Sequence, residues 1–232
     1  MPALGRCVPG APTAAGDPAG VRPRWIDCRP MPPPAAPTHL LYLHGFRSSP
    51  QSFKAQRLHA WVREHRPGVH WWCPQLPPSP RAAMALVVAG IAGWPRQSMA
   101  VVGSSLGGFY AAWVGGHLGC PAVLLNPAVH PARDLARHIG EQTAWHDPAT
   151  RFDFRAEHVD ELHALAAQAQ RPPRCLAIVA RGDEVLDWRE MAAACSDCTL
   201  RLLDGGDHAL SDFDAHLPEI VRFLNLEPTA CD

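Results

Sequence analysis

The sequence predicts an α/β fold: a mostly parallel sheet of about six or seven strands flanked by helices, with a small lid. Three observations carry this. Short apolar runs alternate with helix-length stretches from Thr38 to about Leu224. His39–Leu43 reads as a strand, and Ala82–Trp94 as a helix, buried in the fold, as in a sheet covered on both faces. The chain has 232 residues, 47% hydrophobic and 19% charged, enough for one α/β domain with its own core.

Each element has its own signal. His39–Leu43 reads as a buried strand, and Ser52–His65 as an amphipathic helix with Phe53, Ala55, Leu58, Trp61 and Val62 near one stripe. Val69–Trp72 is a second strand and Ala82–Gly93 an apolar helix. Met99–Val102 is a third strand, followed at once by a glycine-rich turn and a helix from Leu106 to about His117. Ala122–Leu125 is the fourth strand. Residues 131–139 and 157–169 carry helical patterns. Cys175–Ala180 and Thr199–Leu203 are the fifth and sixth strands, and a helix runs from about Asp214 to Leu224. Strands alternating with helices imply right-handed crossovers.

Residues 1–37 stand apart. They hold ten of the 25 prolines and no apolar periodicity, and Pro32-Pro33-Pro34 is polyproline-like. The expectation is a disordered extension, or the product of an upstream start codon. The alternative is an edge strand near Arg24–Cys28, where Trp25 and Ile26 form the one bulky apolar pair. The domain is expected over 38–227, with a short tail at 228–232.

Composition excludes several classes. The net charge is −1, which argues against a dedicated nucleic-acid binder. Lys54 is the sole lysine, read here as compositional bias. The longest apolar run, Ala82–Trp94, is shorter than the ~18 residues a membrane span needs, so no membrane role is expected. No export signal is read at the N-terminus, so the eight scattered cysteines are expected as reduced thiols in a cytoplasmic protein. Cys195-Ser196-Asp197-Cys198 has metal-ligand spacing but no second pair of ligands, and no metal or cofactor is expected.

Gly103-Ser104-Ser105-Leu106-Gly107 fits G-x-S-x-G with Ser105 central. By composition a chance match somewhere in the chain has an expectation of about 0.05. A strand before it and a helix after it are the context this nucleophile elbow requires. The flanking glycines, Gly103 and Gly107, are needed because side chains there would collide at the sharp turn. The competing reading, a nucleotide-binding turn, lacks the G-x-G-x-x-G order and any Gly-Lys-Ser/Thr. His44-Gly45-Phe46 ends the first strand, where the backbone N–H of Phe46 can join that of Leu106 in an oxyanion hole; His44 itself reads as structural. A base must follow the later strands. His208, in Asp204-Gly205-Gly206-Asp207-His208, is preferred over His216, which falls within the last helix. The orienting acid should follow the fifth strand, and Asp183, Asp187 and Glu184 are open, with Asp183 favoured. The chain order Ser, Asp, His is that of α/β hydrolases.

Together, Leu41-Tyr42-Leu43-His44-Gly45-Phe46-Arg47-Ser48-Ser49-Pro50, Pro74-Gln75-Leu76-Pro77-Pro78, Val102-Gly103-Ser104-Ser105-Leu106-Gly107-Gly108, Leu125-Asn126-Pro127-Ala128-Val129, Gly182-Asp183-Glu184-Val185-Leu186-Asp187 and Gly205-Gly206-Asp207-His208-Ala209 resemble the YqiA-type esterases of the YqiA/YcfP α/β-hydrolase family. The resemblance covers about residues 38–226. It implies an α/β-hydrolase fold and esterase activity on small-molecule carboxylic esters and acyl thioesters, with Ser105, Asp183 and His208 at the catalytic positions. The proline-rich front end departs from the family. A serine peptidase, a cofactor-free lyase or a non-catalytic hydrolase-like binding protein could carry the same residues. Between Pro127 and Cys175 there is room for a short lid around Gly140–Arg155 and no cap domain. A shallow pocket and a preference for short acyl groups follow. Arg133, Arg137, Arg151 and Arg155 lie among five carboxylates, which reads as a solvated mixed-charge face.

Overall fold

Every run read as a strand is one in the computed structural model, which describes residues 35–145, 147 and 149–227. The edge strand considered at Trp25 and Ile26, and the tail at 228–232, lie outside the described residues. In order the elements are β1 (His39–Leu43), α1 (Phe53–His65), β2 (His70–Trp72), α2 (Pro80–Gly90), β3 (Met99–Ser104), α3 (Leu106–Leu118), β4 (Ala122–Leu125), α4 (Pro131–Leu135), β5 (Gly140–Thr143), β6 (Arg151–Phe154), α5 (Ala156–Ala166), β7 (Cys175–Ala180), α6 (Trp188–Ala194), β8 (Thr199–Leu203) and α7 (Phe213–Phe223).

Six strands form one sheet in the order β2-β1-β3-β4-β7-β8, and every adjacent pair is parallel. Side chains alternate between two cores. Leu41, Leu43, Val101, Leu124 and Ala177 face α2, α3 and α5 on one side. Leu40, Tyr42, Val102, Val123 and Ile178 face α1 and α7 on the other. Burial on both faces explains the apolar runs of the four inner strands, β1, β3, β4 and β7. Burying one such Leu, Val or Ile stabilises the fold by roughly 1.5–3 kcal/mol relative to leaving it exposed. Parallel strands end at one edge, so the loops after β1, β3, β7 and β8 meet there, where open α/β sheets place their ligands.

Several boundaries differ from the sequence reading. Helix α2 starts at Pro80 rather than Ala82, because Ser79 Oγ accepts the Ala82 N–H at 3.1 Å and proline suits the first helical position. It stops at Gly90, whose Cα packs so closely on the Trp72 ring that a Cβ there would stand 2.1 Å from it. The 131–139 stretch is α4 followed by one tight turn of 3-10 helix, Ala136–His138. Two features had no counterpart in the reading. Helix α6 follows β7, and β5 pairs antiparallel with β6 as a separate two-stranded sheet within the segment expected as a lid. Among the described residues no helix is long and apolar enough to cross a membrane.

Candidate active site

Ser105 sits between β3 and α3 with φ 56° and ψ −122°. A non-glycine residue held there costs on the order of 1–3 kcal/mol and persists only where its surroundings impose it. Those surroundings are visible. Ser105 N–H donates to Leu125 O at 3.0 Å, and Ser105 O accepts from Gly108 N–H at 2.8 Å and Ala128 N–H at 3.0 Å. The two glycines of the motif are required by close approach. A Cβ on Gly107 would lie 2.0 Å from Leu43 O, and one on Gly103 would lie 2.0 Å from Gly107 O.

His208 stands in the loop after β8. Its Nε2 is 3.0 Å from Ser105 Oγ, and its Nδ1 is 2.7 Å from Asp183 Oδ2. The Asp183 side chain is fully shielded from solvent, and that of His208 is 20% exposed. Asp183 Oδ1 accepts from the N–H groups of Val185 and Leu186, both at 2.8 Å, which fixes the carboxylate rotamer. The three acids after β7 are thus separated by geometry. Asp183 meets the imidazole. Glu184 Oε2 accepts the backbone N–H of His208 at 2.9 Å. Asp187 caps α6 by accepting from Arg189 N–H at 2.9 Å. His216 contacts Asp212 at 3.1 Å on α7, away from Ser105.

Phe46 follows β1, and Leu106 is the first residue of α3, where N–H groups have no acceptor within the helix. Gly45 backs onto the elbow, with a Cβ there falling 3.2 Å from Ser105 Cβ. His44 is 3% exposed, and its Nε2 accepts the Leu76 N–H at 3.1 Å, so it ties two loops together.

Two further residues join the site. Asn126, at φ 41° and fully buried, accepts the Ala180 N–H on Oδ1 at 2.8 Å. Its Nδ2 donates to Asp207 O at 3.0 Å and His208 O at 3.2 Å. One side chain therefore joins the end of β4 to the end of β7 and to the His208 loop. Lys54 lines the cleft and donates Nζ to Ala209 O. Burial pulls its ammonium down to about 8, against the opposing pull of the Asp207 and Asp183 carboxylates.

A cleft of about 920 Å³ opens over Ser105 and His208. Phe46, Phe53, Leu135, Trp145, Val185 and Leu186 give it an apolar wall, and Phe53, Trp145 and Val185 are well exposed at it. The short insertion does not build this cleft alone. The segment after β1 lines it from Gly45 to Lys54, and the β5–β6 connection adds Trp145 beside that segment. Arg47 joins the two: its Nε donates to Thr143 O at 2.6 Å and its guanidinium lies 4.1 Å over the Trp145 ring. The arginines of the mixed-charge face divide. Arg133 pairs with Glu190, Arg151 with Glu141 and Arg155 with Glu157, while Arg137 lines the cleft.

Sheet order, elbow and strand-end cleft are those of an α/β hydrolase, and solved structures agree. The chain superposes with TM-score 0.64 on a metagenome-derived lipolytic enzyme described under LipS and LipT, covering 83% of this chain and 95% of that one at 18% identity. It superposes with TM-score 0.61 on Est1E from Butyrivibrio proteoclasticus with ferulic acid bound, covering 84% and 90% at 16% identity. The chain belongs to the uncharacterised protein family UPF0227, the YqiA/YcfP family, whose model matches residues 39–225. Similar curated relatives include a UPF0227 protein of Serratia proteamaculans, 33% identical over 129 residues, and one of Vibrio atlanticus, 25% identical over 126 residues. Each match covers 54% of this chain and 64% of the relative, so the chain spans less than two thirds of the length of the relatives it matches.

Proposed function

We propose that the chain is a serine esterase acting on small-molecule carboxylic esters, acyl thioesters included, through Ser105, His208 and Asp183. The observation that carries this is the continuous contact from Ser105 Oγ to His208 Nε2 at 3.0 Å and from His208 Nδ1 to Asp183 Oδ2 at 2.7 Å. His208 takes the hydroxyl proton as Ser105 Oγ attacks the acyl carbon, then delivers it to the departing alcohol or thiol. Asp183 holds Nδ1 protonated and stabilises the imidazolium that forms. The N–H groups of Phe46 and Leu106 receive the oxyanion, helped by the N-terminal dipole of α3. Water, activated by His208, then releases the acyl group. The step needs no metal or organic cofactor.

Ester rather than peptide chemistry is favoured by the open apolar cleft and by fold neighbours named as lipolytic enzymes and esterases. The cleft is far larger than an acetyl or butyryl ester fills, so acyl groups longer than butyryl are expected to be accepted. The test is a panel of p-nitrophenyl esters, acyl thioesters and peptides, with mass spectrometry of the quenched enzyme. An acyl adduct on Ser105 with ester substrates is expected, and Ser105→Ala should lose about 10⁴–10⁶ in turnover while remaining folded. Peptide cleavage without ester turnover would overturn the substrate class.

A further inference from the structure

Three cysteines converge at the far ends of the strands that lead to Asp183 and His208. Cys175 opens β7, Cys195 ends α6 and Cys198 immediately precedes β8. The β7–β8 register pairs Leu176 with Thr199, which sets Cys175 and Cys198 one step earlier on neighbouring strands, about 4.8 Å apart across such a ladder. Cys198 N–H donates to Cys195 O at 3.0 Å, closing a turn whose end Cα atoms lie within about 7 Å. A disulfide spans roughly 4.4–6.8 Å between Cα atoms. Cys175 and Cys195 are buried, and Cys198 is half-buried against the same core.

The Cys198 sulfur lies within hydrogen-bonding reach of both other sulfurs. Thiol donation from Cys175 and Cys195 favours its thiolate, aided by the nearby Arg171 cation, which also pairs with Asp197, and opposed by burial, while the two donors are held protonated. Among the described residues no group of three or more His, Cys, Asp or Glu could hold a metal ion. A half-exposed thiolate beside a buried thiol one turn away is instead suited to reversible oxidation. Cys175 is held in the ladder between β4 and β8, opposite Ala122. Cys195 ends a seven-residue helix and has only Ser196 and Asp197 between it and Cys198, so it is the partner that can move.

We propose that Cys198 is a hydroperoxide-reactive cysteine that closes a disulfide with Cys195. The Cys198 sulfur attacks one peroxide oxygen. The S–O bond forms, the O–O bond breaks, and the other oxygen leaves as hydroxide or alkoxide. Sulfur is oxidised by two electrons and the peroxide is reduced. The Cys195 sulfur then attacks the sulfenic sulfur; S–S forms, S–O breaks, and the departing oxygen takes the Cys195 proton to leave as water. This site is independent of the Ser105 reading.

The experiment treats the full chain with hydrogen peroxide and maps its peptides without reduction, alongside iodoacetamide labelling at pH 6 and pH 8. Expected are a loss of two hydrogens, a Cys195–Cys198 link, and a sulfenic acid trapped by dimedone at Cys198 in Cys195→Ser. Cys198 should be labelled at pH 6 at least ~10-fold faster than the half-buried Cys73, whose thiol burial pushes up to about 12. Cys198→Ser should leave ester turnover unchanged and lose the link. A Cys175–Cys198 link would overturn the pairing. Labelling of Cys198 no faster than Cys73 at pH 6 would overturn the thiolate.

Discussion

The two walls of the cleft are built by different means. On the sheet side, Ser105, Asp183 and His208 are fixed by backbone hydrogen bonds, a shielded carboxylate and the buried amide of Asn126. On the outer side, the residues after β1 and the β5–β6 sheet meet through Phe46, which packs on Phe152 and Phe154, and through Arg47, which bonds Thr143 O and stacks on Trp145. Trp145 N–H returns one hydrogen bond to Arg47 O at 2.8 Å, yet the residue is 71% exposed. On the proposed function, the reacting atoms sit on the wall fixed by backbone bonds, and substrate shape is met by the wall held by side-chain packing. Damage to the first should appear in kcat, damage to the second in KM.

That division gives a ranked set of expectations. Asp183→Asn should lower kcat by about 10⁴, because the amide cannot hold the His208 tautomer. Asp187→Asn should cost far less, since Asp187 caps α6; steady-state kinetics on one ester would reverse the assignment if the ranking were opposite. Asn126→Ala should lower kcat by roughly 10–100-fold and also lower Tm, since it frees the His208 loop and leaves the Ala180 N–H unpaired. A fall in Tm with kcat untouched would reduce Asn126 to a structural tie. Trp145→Ala should raise KM for esters with long acyl groups by about 3–10-fold and leave kcat within about twofold. An acyl-chain series checks this, and an equal loss for acetyl esters would erase the contrast between the walls.

The smallest expected effect concerns pH. Below about pH 8 the folded and unfolded chains both carry the Lys54 proton. Between about 8 and its ordinary 10.5, the unfolded chain keeps the proton and the folded chain releases it. Stability contributed by this group therefore rises with pH across that window. The difference in Tm between the natural chain and Lys54→Met, followed from pH 7 to pH 10, should shift in favour of the natural chain as pH rises. A flat difference would place Lys54 in water.

The rigid wall was also the legible one. Its parts are local: the strand, the Gly103–Gly107 elbow and the strand-end His208 each announce themselves within a few residues. The ties of Asn126 are not local in this way: its partners lie 54, 81 and 82 residues away in sequence. The β5–β6 sheet has no local sequence signal for a related reason. Gly140-Glu141-Gln142-Thr143 carries no apolar signal, and the sheet is held by Phe152 and Phe154 packing edge-on to Phe46, centroids 5.9 and 5.0 Å apart. Helix α6 has seven residues, too short for a periodic signal, and its cap Asp187 was itself weighed as the triad acid. The role of Lys54 is not legible in sequence because only the fold brings it to the His208 loop.

The central claim is that Ser105 is the activated nucleophile, and the most direct measurement is stoichiometric labelling with a fluorophosphonate. The natural chain should take up one equivalent, mapped to the peptide bearing Ser105. Ser104→Ala should label at a near-normal rate, and His208→Ala should slow labelling by at least ~10³. Ser105→Ala should take up none. Full labelling of Ser105→Ala, or label found on Ser104 in the natural chain, would contradict the account.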